Sequence, residues 1–335
     1  MPSSTVTALI LFSLSVTTLI EATQLHWPLD LSNTIWDGRI SSWMDLEDFD
    51  SPTLSPYNET HVHGYRSWSD YLRLPTNAKR SLFDYEHGTV PLEVTVDDTS
   101  LFLSGGENLQ YGFRRSELNP VSNNGTDDHF VEGKRAIHFS VRSDDKRPLD
   151  FTHEYQNVFL ETNAYDAHQF TLKTGTPYDN STSINSSAVT ATQTLRIESG
   201  TNDGAVEKTL FETEYNGGTW HNFAVELDFD ANTLAAYYSK DYANLELVVP
   251  ATANNNSGGG LYHFGIIKLP ASGTGNGSVP FSGYQPSNIE EIKVIGLGKE
   301  LTGILLQGQI YGGIFIEDTS ERALKTGVWT SGYVF

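Results

Sequence analysis

Cysteine is absent from the 335 residues. No disulfide staples the fold, and cysteine-ligated zinc, iron–sulfur clusters and thiol nucleophiles are excluded. Stability has to come from the core. Positive charge is also scarce, with 21 Lys and Arg against 42 Asp and Glu and a formal net charge of −21. Long-range repulsion opposes nucleic acid and anionic lipid as partners and argues against a polyuronate, while a neutral polysaccharide remains compatible. Helical spacing of apolar residues never lasts three turns, which disfavours an α/β layout with crossover helices. No repeat of ~20–50 residues suggests a propeller or β-helix. A Gly-X-Ser-X-Gly elbow, a phosphate-binding glycine loop and a His-Glu-X-X-His helix are all missing, so serine hydrolase, nucleotide and zincin readings have no support.

What is present begins with an apolar run from Thr7 to Ile20, followed by the small residue Ala22. Its length suits a signal peptide over residues 1–22 and falls short of the ~20 apolar residues of a spanning helix, although no Lys or Arg precedes it. A membrane anchor is the alternative; cleavage near Ala22 or Thr23 implies a secreted, extracellular protein with no later segment able to span a bilayer. Six Asn-X-Ser/Thr acceptors, at Asn58, Asn124, Asn180, Asn185, Asn255 and Asn276, agree with that route. With 38% apolar residues and no long Gly/Pro/Ser-rich break, residues 23–335 form one domain with a substantial core.

Short runs of alternating polarity fill that domain, among them Leu92–Val96, Ala136–Val141, Gln193–Ile197 and Phe223–Phe229, separated by turn-forming clusters such as Ser122–Thr126 and Asn254–Gly260. The expected fold is all-β, a jelly-roll sandwich of two antiparallel sheets with an open concave cleft.

Two stretches carry the chemistry. In Gly112–Glu117, period two puts Phe113, Arg115 and Glu117 on one face, where Arg115 would orient Glu117 and favour its ionised form. In Phe151–Leu160, alternation puts Glu154, Gln156 and Val158 on one face and His153, Tyr155, Asn157 and Phe159 on the other; polar groups on both faces mid-strand point to a cleft. An ordinary surface ion pair is the plainer explanation of Arg115 and Glu117. Glycoside hydrolysis needs a carboxylic acid and a second carboxylate, and Glu154 as acid beside aromatic groups with Glu117 as base would satisfy it. His221 opens another strand and could bond a sugar hydroxyl or a catalytic carboxylate, or equally serve a structural role; His138, His263 and Lys268 carry the same ambiguity. Trp36, Trp43, Trp68 and Trp220 suit core packing or sugar stacking. The acidic stretch Asp45–Asp50 does not have the spacing of an EF-hand calcium loop.

An ordered series now stands out: Trp36-Asp37-Gly38-Arg39, Phe113-Arg114-Arg115-Ser116-Glu117-Leu118, Phe151-Thr152-His153-Glu154-Tyr155-Gln156-Asn157, Leu172-Lys173-Thr174-Gly175-Thr176, Thr219-Trp220-His221-Asn222-Phe223 and Gly312-Gly313-Ile314-Phe315-Ile316-Glu317-Asp318. Together they resemble glycoside hydrolase family 131, a family of secreted β-glucanases, from about Trp36 to Asp318. The resemblance implies a β-jelly roll with a broad cleft, action on β-1,3-, β-1,6- and β-1,4-linked glucans, and an inverting mechanism with paired glutamates at Glu117 and Glu154, with His153 and His221 as further participants. It implies a β-glucan poly- or oligosaccharide as partner, a monomer, and no redox cofactor or indicated metal.

Two other classes compete. The Arg-Ser-Glu-Leu strand also resembles the cleft strand of jelly-roll polyuronate lyases, but their Gly-X-Tyr proton carrier is Gly313-Ile314-Phe315 here, and Phe315 has no hydroxyl to transfer a proton. A non-catalytic glucan-binding module needs aromatic platforms and no paired carboxylates.

Overall fold

The computed structural model describes residues 33–58, 63–64, 66–85, 87–104, 108–110, 113–121, 128–178, 192–269 and 306–320. The signal peptide expected over 1–22 and the sequons at Asn124, Asn180, Asn185 and Asn276 lie outside these residues. In chain order the strands are β1 (Thr34–Asp37), β2 (Ile40–Ser41), β3 (Leu72–Arg73), β4 (Thr89–Val90), β5 (Leu92–Val96), β6 (Leu103–Ser104), β7 (Asn108–Leu109), β8 (Arg114–Leu118), β9 (Lys134–Ser143), β10 (Glu154–Glu161), β11 (His168–Gly175), β12 (Thr194–Ser199), β13 (Thr209–Glu214), β14 (His221–Asp228), β15 (Thr233–Lys240), β16 (Glu246–Ala253), β17 (Leu261–Lys268) and β18 (Gln307–Asp318). Among the described residues the α-helices are single turns, α1 (Trp68–Tyr71) and α2 (Leu82–Tyr85).

Two antiparallel sheets form the expected sandwich. The larger runs β16-β15-β14-β9-β18-β5-β3, with β1 also paired to β18, and the smaller runs β13-β12-β11-β10-β17-β8. Alternation explains the core between them. Leu92, Val94 and Val96 of β5, Ile137, Phe139 and Val141 of β9, and Phe223, Val225 and Leu227 of β14 meet Leu118, Leu172, Ile197, Tyr262, Phe264 and Ile266 of the smaller sheet. Trp36 stacks on Phe264 within that core, and Trp68 and Trp220 are also buried, which leaves Trp43 as the exposed member of the four tryptophans considered above, at 69%.

Two irregularities set which side chains leave the core. Pairing of β10 with β11 slips by one residue between Gln156 and Val158. Tyr155, Val158 and Leu160 therefore all enter the core, and from Val158 onward the two faces are exchanged relative to strict alternation. This corrects the expectation that Val158 shares a face with Glu154: Phe159 and Glu161 take that side instead. His153 precedes β10 in a turn rather than lying on the strand. In β18, register against β9 shifts between Gly312 and Phe315, where Gly313 has φ 57° and donates its N–H to the buried Asp84.

Tyr311, projecting from β18 across the core, holds the slipped region. Its single hydroxyl proton is shared between the carbonyls of Asn157 (2.9 Å) and, in a shorter contact, Gly265, while Gln309 Nε2 donates to the oxygen at 2.7 Å. Tyr311→Phe is expected to lower stability by about 1–3 kcal/mol, because buried carbonyls lose a donor. A reduced urea midpoint with an unchanged m-value would show it; an unchanged midpoint would contradict it.

Candidate active site

Alternation in β8 sends Leu118 into the core and turns Glu117 and Arg115 to the opposite side of the smaller sheet. Arg115 Nε donates to Glu117 Oε1 at 2.5 Å and Nη2 to Oε2 at 2.7 Å, the forked pairing expected of these two residues. His263, on the neighbouring strand β17, contacts Oε2 through Nδ1 at 2.7 Å; since an ionised carboxylate only accepts, Nδ1 carries the proton. Three donors thus fill three of the roughly four acceptor positions of the carboxylate and leave one on Oε1. Glu117 is fully buried. Burial alone would raise its pKa, but the Arg115 charge and the His263 bond outweigh it and hold the group below its ordinary range.

His263 joins a second carboxylate to this pair. Its ring lies flat against Phe159, with centroids 4.3 Å apart, inside an apolar patch of Phe113, Phe159, Ile267 and Leu269. Its Nε2 lies 3.4 Å from Glu161 Oε2 and is otherwise without a hydrogen bond among the described residues. Glu161 has 17% of its side chain exposed, against none for Glu117. Burial pushes the Glu161 carboxyl up; His263 and Arg115 pull the other way without cancelling it, and the charge of Glu117 adds to the rise. His168, 3.9 Å from Glu161, is pushed down to about 4, first by burial and then by the neighbouring cations, and stays neutral.

Glu154 lies on the same outer face in a different setting. The Tyr178 amide donates to its Oε2 at 3.0 Å, Lys173 Nζ lies 3.3 Å from Oε1, and Arg196 Nη2 lies 3.6 Å from Oε2. Lys173 also pairs with Glu207, and Arg196 with Glu198, so opposite charges run across β10, β11 and β12. Tyr178, whose amide bonds Glu154, packs against the same apolar patch of Phe113, Phe159, Ile267 and Leu269 on which His263 lies. Gln156 is half-buried on this outer face, opposite Lys173 of β11 and Ile267 of β17.

Two histidines expected at the site stand apart from it. His221 shares its face with Phe223, Val225 and Leu227, points into the sandwich and bonds Tyr238 through Nδ1 at 2.8 Å. Burial and the Lys240 charge push it down to about 4. His153 donates through Nδ1 to the carbonyl of Leu269 at 2.8 Å and braces the end of β17. His138 and Phe315 stack on each other beyond the far side of the larger sheet, and Lys268 reaches Gln307 in the interior. Of the two sequons within the described residues, Asn58 is half-buried and Asn255 accepts from the Ser257 hydroxyl of its own motif.

Glu161, Lys173 and Arg196 were not singled out by alternation, and His263 stood as one ambiguous histidine among several. A readable signal existed: the apolar parity of β10 changes between Tyr155 and Val158-Leu160, which betrays an extra residue. Among the described residues no cluster of three or more His, Asp or Glu is placed to hold a metal ion.

A family model described as the glycoside hydrolase 131 catalytic N-terminal domain matches residues 34–321. No curated protein matches the chain. Similar solved structures include a GH131 β-glucanase catalytic domain from Podospora anserina, with TM-score 0.58 and 23% identity over 85% of this chain and 96% of that one. The catalytic domain of a glycoside hydrolase family 131 protein from Coprinopsis cinerea aligns with TM-score 0.57 and 21% identity over 85% and 94%.

Proposed function

The chain belongs to glycoside hydrolase family 131, and from that premise we propose that it cleaves β-glucans, with β-1,3, β-1,6 and β-1,4 linkages as candidates, by general acid/base chemistry with inversion on the outer face of its six-stranded sheet. The observation that carries this reading is the Arg115-Glu117-His263 unit. Arg115 keeps Glu117 charged, and the free acceptor position on Oε1 suits a base that takes the proton of an attacking water. Glu154, in the same charged strip and flanked by Lys173 and Arg196, is the second carboxylate of the pair, with Gln156 beside it. The net charge of −21 suits a neutral glucan better than a polyuronate. Phe315, lying beyond the larger sheet and lacking a hydroxyl, gives a lyase no proton carrier. The protein works as a secreted monomer without a cofactor.

Incubation with laminarin, pustulan, barley glucan and cello-oligosaccharides, with and without a chelator, tests this directly. Reducing ends should appear at equal rates in both arms, with the α-anomer formed first by NMR. Unsaturated uronate from alginate, or binding without cleavage of any glucan, would replace the reading by a lyase or a binding module.

A further inference from the structure

We propose that a cavity on the outer face of the larger sheet is a second binding site, which takes a sugar acid, a uronate or an aldonate, by its carboxylate on Arg142. The cavity has a volume of about 590 Å³, within the ~300–1,000 Å³ of small-molecule sites. It lies across the sandwich from the candidate active site. Leu92 and Val94 of β5, Val141 of β9 and Tyr311 of β18 enter the core, so their neighbours Glu93, Arg142 and Ile310 turn the other way. Strand pairing then sets Arg73 of β3, Glu93, Ile310 and Arg142 side by side across four strands. Residues 74–78 and 143–147 complete the lining with Asp45, Leu46 and Glu47.

Charge in this cavity departs from that of the chain. Acids outnumber bases two to one overall, 42 to 21, yet here Arg73, Arg142, Lys146 and Arg147 stand against Asp45, Glu47, Asp144 and Asp145 in equal number. Arg147 is already engaged. Its Nε donates to Glu93 Oε1 at 2.7 Å, its Nη2 reaches the other oxygen of Glu93, and Nη2 also lies 2.8 Å from Asp144 Oδ2, which fixes and neutralises that wall. Arg142 is left open. Its half-buried side chain makes no ion pair or hydrogen bond among the described residues, its Nε is shut away from solvent, and the turn beside Nη2 is Gly218, which has no side chain to offer. Such a guanidinium suits a carboxylate that accepts from two of its N–H groups at once. Arg73, also half-buried, donates to the carbonyls of Asp70 and Leu72 and pairs with no acid, so it adds to the attraction. Asp45, Glu47 and Asp145 are exposed and can accept from hydroxyls, while they repel a multiply charged inorganic anion. No aromatic side chain lines the cavity, so a neutral pyranose has no stacking platform there. One carboxylate beside several hydroxyls describes a sugar acid.

Calorimetric titration of the full chain with glucuronate, gluconate, glucose, glycine and sulfate tests the assignment. Glucuronate or gluconate should bind more tightly than the other three ligands, and the tighter of the two tells a uronate site from an aldonate site. Arg142→Gln should weaken that acid by about 10–100-fold, the worth of hydrogen bonds to a charged partner, and leave kcat/KM on laminarin unchanged. Arg142→Lys, which keeps the charge and loses the planar fork, should weaken it less. Thermal unfolding shows whether each variant is folded, and Arg142→Lys carries the comparison if Arg142→Gln is not. Acid binding that survives Arg142→Gln in folded protein, glucose, glycine or sulfate binding as tightly as the acids, or no binding of either acid would overturn the site. A fall in laminarin hydrolysis in folded Arg142→Gln would overturn its separation from the active site. Binding is read without turnover, so a parent protein that cleaves no glucan would sink the hydrolase reading and leave this one standing.

Discussion

Glu117→Gln should lower kcat/KM on β-glucan by about 10²–10⁴-fold, and on an aryl β-glucoside oligomer with an activated leaving group by a similar factor, because the base is needed whichever leaving group departs. Stability should fall as well. Arg115 is buried against Glu117, and breaking a buried ion pair from one side costs about 3–5 kcal/mol; the amide, which keeps the shape and one acceptor, should sit at the lower end. The pH dependence has a definite sign. Glu117 is held below the unfolded value of ~4.3, so its contribution to stability is fully present above that pH and is lost as pH falls through the folded value. Urea midpoints measured from neutral to acidic pH should therefore decline less in Glu117→Gln than in the parent. Parallel declines, or retained activity on both substrates, would show that Glu117 neither anchors this charge cluster nor serves as base.

Gly265→Ala should be strongly damaging. Gly265 sits directly across from Glu117 in the β17-β8 ladder, and a Cβ there would lie 2.0 Å from the Ser116 carbonyl oxygen and 2.7 Å from Glu117 Cα. Both are backbone atoms, so no side chain can swing away; β8 has to move. Overpacking of this kind costs about 1–3 kcal/mol or more. It acts on the strand that carries Arg115 and Glu117, and also disturbs the Gly265 carbonyl that Tyr311 bonds. We expect a fall in urea midpoint together with a loss of kcat well beyond what the unfolded fraction explains. A variant of parental stability and activity would mean that β8 and β17 are held less firmly than their pairing indicates.

The jelly-roll class was legible because period-two polarity is a local property of each strand. Leu92, Val94 and Val96 alternate with Glu93 and Thr95 in the sequence and do so in space. The Arg115-Glu117 pairing was legible for the same reason, since two residues on one uninterrupted strand share a face whatever the rest of the chain does. Glu161 was not, because one extra residue at Asn157 reverses every later side chain and Tyr311, 154 residues away, helps hold that carbonyl. His221 looked like a site residue from its polar neighbours; the strand it opens belongs to the other sheet, with its face turned inward.

Sequence alone determined the all-β class, the absence of cysteine chemistry, the acidic balance and the family to which the chain belongs, all of which depend on composition, local periodicity or short motifs. Tertiary structure decided which carboxylates share an imidazole. Sheet pairing places β8, β17 and β10 side by side through contacts between residues a hundred or more positions apart, which no local pattern encodes, and so sets Glu161, turned outward by the slip in β10, against His263.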